Sequence, residues 1–279
     1  MLLLTLQNLA ILFFEPFHRM FSLDDRRISF PYADPERVPV PELMFFGAGL
    51  PLIVIVLYSL CVPSAGGSSK GHKLHVALLG LVTSLLLTSF ITDAIKNTVG
   101  RPRPDLLARC QAKPETPRHK LVDWRVCAQT DHHTLHDGFR SFPSGHSSFS
   151  WAGLGYLSLF LAGQLGALRR GKGLARVIFV ALPVVGAALI TISRTEDYRH
   201  DVYDVSTGTL IGATCAWFCY RRYFRGLQGR KSAIPYDREE PEEEQGFTKL
   251  REVEMGRVAG LVNGEEDMGN EWEMERERV

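Results

Sequence analysis

The stretch PSGHSSFSWAGLGYLSLFLAGQLGAL, Pro143 to Leu168, decides the fold. A polar tetrapeptide, Pro143-Ser144-Gly145-His146, opens onto 22 residues, Ser147–Leu168, that carry no charged side chain. A water-soluble core has no need of so long a run, whereas a bilayer span needs about 20 apolar residues, within a range of roughly 17–25. Four further runs share this character. Phe45–Val62 has 18 residues without a charge, and Leu74–Thr92 has 19, broken only by His75. Val177–Ser193 has 17, and Val202–Tyr220 has 19 with a single acid, Asp204. A shorter run of 14 residues, Met1–Phe14, contains Gln7 and Asn8 and lacks the basic leader and small-residue cleavage site of a signal peptide. It reads as a shortened first span. The fold class expected is therefore all-α, a polytopic membrane protein of about six transmembrane helices.

The formal net charge of +1 conceals an asymmetry. Residues 232–279 hold 15 acids and 6 bases, and the remainder holds 16 acids and 26 bases. The run Glu239-Glu240-Pro241-Glu242-Glu243-Glu244 and its polar continuation cannot bury a core. A membrane domain over residues 1–225 and an acidic, disordered cytosolic tail over 226–279 follow. Short loops fix orientation through their basic residues. Lys70 and Lys73, then Arg169, Arg170, Lys172 and Arg176, then Arg221, Arg222 and Arg225 fall on one side of a six-span chain. That side reads as cytosolic. The segments 18–42, Lys96–Pro143 and Arg194–Asp201 then share the lumenal or external face.

Three motifs lie on that face: Lys96 and Arg103 after the third span, Pro143-Ser144-Gly145-His146 before the fourth, and Arg194, His200 and Asp204 between the fifth and sixth. They supply three permanent cations, two imidazoles and a carboxylate. Phosphoryl transfer asks a protein mainly for positioning and for charge stabilisation on three equatorial oxygens. Arginine adds a planar fork that matches two phosphate oxygens. A helix opening at Ser144 offers backbone N–H groups and a positive dipole end to an anion, and Gly145 permits close approach. Taken singly, each element has a plainer reading. Basic residues at membrane ends snorkel to headgroups, which suits Arg101, between Lys96 and Arg103, better than a catalytic role. Pro-Ser at a helix start is ordinary capping. A His–Asp pair four apart shares a helix face and could merely stiffen it. An aspartate inside a span is costly unless paired, and His200 is its natural partner. That pairing would leave the other imidazole nitrogen of His200 free to attack phosphorus, with His146 as general acid. Pro102 is expected to end the third helix before Arg103.

Other features are weaker. Cys110 and Cys127 both fall in the long outer loop, where a disulfide would suit an oxidising compartment. Asp131-His132-His133-Thr134-Leu135-His136-Asp137 could bind zinc, but no matching ligand set lies nearby in sequence, so it reads as a solvated loop. Basic residues lack the interleaved aromatics of a nucleic-acid surface, which excludes that partner class.

Together the three motifs resemble the signature of the type 2 phosphatidic acid phosphatase (PAP2) superfamily, the lipid phosphate phosphatases, which also includes soluble acid phosphatases and vanadium haloperoxidases. The first outer segment is similar to that of the fungal diacylglycerol pyrophosphate phosphatase branch. That similarity runs through Glu15-Pro16-Phe17-His18-Arg19, Asp24-Asp25-Arg26-Arg27-Ile28, Phe30-Pro31-Tyr32-Ala33 and Glu36-Arg37-Val38-Pro39. The resemblance implies a six-helix membrane core and hydrolysis of phosphatidate or diacylglycerol pyrophosphate through a phosphohistidine, without magnesium or any other cofactor. Carried over residue by residue, it implies phosphate binding by Lys96, Arg103, Ser144, Gly145 and Arg194. His146 becomes the acid, His200 the nucleophile and Asp204 its orienting partner. A phospholipid in an endomembrane or the plasma membrane is the implied partner. Two rivals remain: a non-catalytic scaffold that binds lipid phosphates, and a vanadate-dependent haloperoxidase-like enzyme.

Overall fold

The computed structural model describes residues 15–63 and 69–236, together with Thr5. The expected first span and the acidic stretch beyond Tyr236 therefore lie outside the described residues, Thr5 apart. Five long helices occupy the five long apolar runs: α1 (Val40–Cys61), α2 (Lys70–Val99), α5 (Gly145–Leu165), α6 (Leu174–Glu196) and α7 (Val202–Tyr223). Two short helices, α3 (Leu106–Cys110) and α4 (His132–Asp137), lie in the loop between α2 and α5. Among the described residues there are isolated β-bridges but no strand.

By length and composition α1, α2 and α6 are apolar enough to cross a membrane. Residues such as Leu57, Leu182 and Leu189 stand more than half exposed on α1 and α6, as lipid-facing side chains would. Helices α5 and α7 match them in length yet fall short in hydropathy. The reason lies in packing. Helix α5 is the central element, in contact with α7, α6, α2 and α1, and 13 of its 21 residues are buried. A helix surrounded by protein gains more from small residues that let backbones approach than from lipid-like side chains. Accordingly, a Cβ on Gly153 would sit 1.6 Å from the carbonyl oxygen of Gly47, and one on Gly212 would sit 2.2 Å from that of Ser148.

Helix α2 ends at Val99 because Gly100 takes the left-handed conformation (φ 59°) that caps helix C-termini, before Pro102 is reached. Arg101 and Arg103 are thus released from the helix. The loop that follows is stapled by a Cys110–Cys127 disulfide. It also pairs with the first outer segment, where Phe21 and Val122 exchange backbone hydrogen bonds of 3.1 and 2.9 Å. Phe21, Leu106, Leu135 and Phe139 form a small second core there. At the other end of the bundle, residues beyond α7 pack back against it. Leu227 joins the main core, and Ser232 donates a hydrogen bond of 2.8 Å to Gly163 O. The compact unit continues to Pro235, past the end of the last helix.

Candidate active site

The start of α7 and the start of α5 are joined main chain to main chain. Ser144 N donates to Asp204 O at 3.0 Å, which brings the second and third motifs together. The first motif meets the second at Gly145, where an added Cβ would lie 3.5 Å from Lys96 Cε. The ends of α2 and α6 and the starts of α5 and α7 therefore converge at one end of the bundle.

His200 sits in the middle and is 4% exposed. Burial, then the charges of Arg103, Lys96, Arg194 and His146, hold its imidazole well below the usual histidine pKa of 6.5. A ring that stays neutral keeps its lone pair, which a nucleophile needs. Those four groups are the ones the sequence put forward, and all act on one atom cluster.

Lys96 is buried and donates to Arg140 O at 2.8 Å. Arg103 donates from Nε to Asp137 O at 2.8 Å and from Nη2 to Asp137 Oδ1 at 2.7 Å. Burial works to raise the carboxyl pKa of Asp137, but Arg103 and Lys96 outweigh it and hold the group ionised. Arg194 is 1% exposed, and its Nε has no hydrogen-bond partner among the described residues. A buried guanidinium N–H without an acceptor is costly unless an anion arrives to accept it.

Ser144 caps α5 and is fully buried. Its hydroxyl oxygen accepts from Ser147 N at 3.4 Å and from Ser147 Oγ at 3.0 Å, so its own proton stays available as a donor. His146 donates from Nε2 to the carbonyl of Val38 at 3.0 Å, which places the proton on that nitrogen.

Asp204 and His200 approach each other without a hydrogen bond. His200 precedes α7 rather than riding on it, because Asp201 is the N-cap and Asp204 closes a reciprocal capping box with it. His200 Nδ1 lies 3.6 Å from Asp204 Oδ2, beyond a hydrogen bond, and has no partner among the described residues. The Asp204 carboxylate is held elsewhere. Oδ1 accepts from Arg101 at 2.8 Å, and Oδ2 accepts from Ser141 Oγ at 2.5 Å and Asp201 N at 3.2 Å. Arg101 is therefore not a headgroup anchor. It clamps the Asp204 carboxylate, and a second ion pair binds it to Asp201. Its place in Arg101-Pro102-Arg103-Pro104, beside Arg103, was the signal available in sequence.

Glu36 had no assigned role. Its carboxylate bridges Arg194 (2.8 Å) and Arg199 (3.0 Å) and stands 3.9 Å from His146 Nε2. Arg194 also reaches Val38 O at 3.3 Å. Tyr32 lies between the guanidinium groups of Arg109 (4.7 Å) and Arg199 (4.4 Å). The first outer segment thus folds over the site as one of its walls.

Known proteins resemble this chain over most of its length. A sequence profile described as the PAP2 superfamily matches residues 77–227. A probable diacylglycerol pyrophosphate phosphatase 1 of Schizosaccharomyces pombe is 40% identical over 238 residues, covering 84% of this chain and 82% of that one. Diacylglycerol pyrophosphate phosphatase 1 of Saccharomyces cerevisiae is 41% identical over 228 residues, 80% and 77% of the two chains. Lipid phosphate phosphatase 2 of Arabidopsis thaliana is 37% identical over 225 residues, 80% and 75% of the two. This chain belongs to the PAP2 superfamily and is a membrane protein.

Proposed function

We propose that the protein is a lipid phosphate phosphatase that hydrolyses phosphatidate, diacylglycerol pyrophosphate or both without a metal. An apolar cleft of about 620 Å³ carries the lipid reading. It runs between α1, α5 and α6, past Leu50, Val54, Leu157 and Leu182, and its upper end is Val38. The carbonyl of that same Val38 accepts from His146 and Arg194. A phosphate held by Arg194 would therefore have its acyl chains entering an apolar slot that faces the bilayer interior.

Within that arrangement Lys96, Arg103 and Arg194 take up the negative charge of the equatorial oxygens. Ser144 and the first-turn amides of Gly145 and His146 fix the phosphate at the start of α5. His200 attacks phosphorus through the nitrogen turned away from Asp204, and the bond to the leaving oxygen breaks. His146, protonated to the imidazolium, gives a proton to that oxygen and is left neutral. Proton donation matters most for phosphatidate, whose leaving group is an alkoxide. Diacylglycerol pyrophosphate releases phosphatidate, a weaker base. Water then cleaves the phosphohistidine, with His146 taking its proton.

The site opens on the lumenal or external face of an endomembrane or of the plasma membrane. The basic loops 63–73 and 169–176 support that orientation. The test is inorganic phosphate release from phosphatidate and from diacylglycerol pyrophosphate by purified protein in EDTA, with His200→Ala alongside. Turnover in the parent chain and its loss in the variant is the expected pair. A parent chain that binds phosphatidate but releases no phosphate would mark a scaffold instead. Phosphate release surviving in His200→Ala would remove the nucleophile.

A further inference from the structure

The outer loop brings a second set of donors together, none of them among the residues of the anion site. His132 and His136 lie four apart on α4, with their Nε2 atoms 3.2 Å apart. Glu15, far off in sequence, joins them. One ligand atom from each of Glu15, His132 and His136 lies within 4.8 Å of the others. No local pattern in sequence links the set, because its third donor sits more than a hundred residues upstream.

We propose that Glu15, His132 and His136 bind one divalent transition-metal ion of the zinc class, which staples the first outer segment to α4. Carboxylate oxygen and imidazole nitrogen are the donor types zinc takes, and bonds of about 2.0–2.2 Å put tetrahedral donors roughly 3.4 Å apart. The two imidazole nitrogens already stand near that spacing, and the carboxylate has to close by about 1.4 Å at most, a side-chain rotation for an exposed residue.

The surroundings of His136 suit a ligand. Its other nitrogen, Nδ1, lies 2.5 Å from His18 Nε2. With metal on Nε2, Nδ1–H donates to His18, the outer partner that fixes the tautomer and orientation of metal-bound histidines. Phe139 packs edge-on against His18 at 4.9 Å, and Trp124 lies 5.3 Å from both His18 and His136. One side of the set is thus an aromatic wall, while Glu15 and His132 are exposed at the mouth. The backbone around each end is tied down: Phe17 N donates to Asn97 O at 2.8 Å, and Asp131 caps α4.

The ion takes no part in P–O cleavage and stands independently of the phosphatase reading. What it would fix is α4, whose last residue, Asp137, holds Arg103. The test uses full-length protein in detergent, stripped with EDTA and freed of it, then supplied with zinc chloride alone. Bound zinc per chain and the thermal midpoint are measured for the parent, Glu15→Gln, His132→Ala and His133→Ala. His133 is exposed and outside the set. The expected result is one zinc per parent chain and per His133→Ala chain, with a midpoint raised by several degrees. Affinity should fall at least tenfold in Glu15→Gln and His132→Ala, with no midpoint shift. Zinc bound equally by all four proteins, or by none, would overturn the assignment.

Discussion

Gly208 faces the start of α5, and replacing it by alanine probes whether catalysis depends on the spacing between the second and third motifs. An alanine Cβ there would stand 2.5 Å from Ser144 O, 3.1 Å from Ser147 Cβ and 3.3 Å from Ser148 N. Ordinary contacts begin at 3.4 Å, so helix α7 must withdraw by 0.9 Å from the backbone of the capping serine. Backbone cannot turn aside as a side chain can. The 3.0 Å bond from Ser144 N to Asp204 O lies one turn away and stretches with the same movement. A misplacement of about 1 Å costs roughly a hundredfold in rate, or about 2.7 kcal/mol of transition-state stabilisation. We expect kcat/KM for phosphatidate in detergent micelles with EDTA to fall by about that factor. Gly155→Ala is the control, since its Cβ would meet Ala216 Cβ at 3.7 Å, an ordinary contact. If Gly208→Ala stays within about threefold of the parent while eluting as a folded, monodisperse protein, the spacing argument is wrong.

Three further outcomes follow from the site. Arg101→Ala should lower kcat by about ten- to a hundredfold with little change in KM, because it frees a buried carboxylate that stands 3.6 Å from His200 rather than a group that touches lipid. Equal losses in KM would contradict this, and Arg101→Lys should restore part of the rate. Glu36→Gln should lower KM about three- to tenfold, because a neutral amide competes less well than a carboxylate for Arg194 and Arg199. A raised KM would show Glu36 assisting substrate instead. The acid limb of kcat/KM should lie below pH 6.5: falling pH removes activity only once His200 is protonated, and burial with the surrounding cations delays that step. A limb at or above 6.5, measured with a substrate whose own phosphate does not titrate there, would mean that His200 is not the neutral group described.

The long helices were legible because span length is a property of local composition, and the runs around Ile55, Leu81 and Leu189 have no alternative in water. What composition did not disclose is which spans face lipid. The serines and glycines of α5 register contact with α7 and α1, and such contact exists only once the bundle is assembled. The three motifs were legible because the spacing is fixed within each of them. The partners that hold them were not. Ser141 lies 63 residues from Asp204, and Glu36 lies 158 from Arg194, so no local pattern links them. Arg101 was misjudged for a related reason: a base at a membrane end looks the same whether it faces headgroups or a buried aspartate. His200 and Asp204 are four apart, but a capping box sets their distance, not the helical face that spacing suggested.

The bond from Ser144 N to Asp204 O has a consequence for how members of this family can diverge. It is made by peptide groups, so any sequence that keeps these helix starts inherits it whatever side chains change around it. Selection for a different lipid has little purchase on the chemistry's internal ruler. It must act on Glu36 and Val38 and on the walls of the slot beneath them, which can be rewritten without disturbing the distance between the two helices.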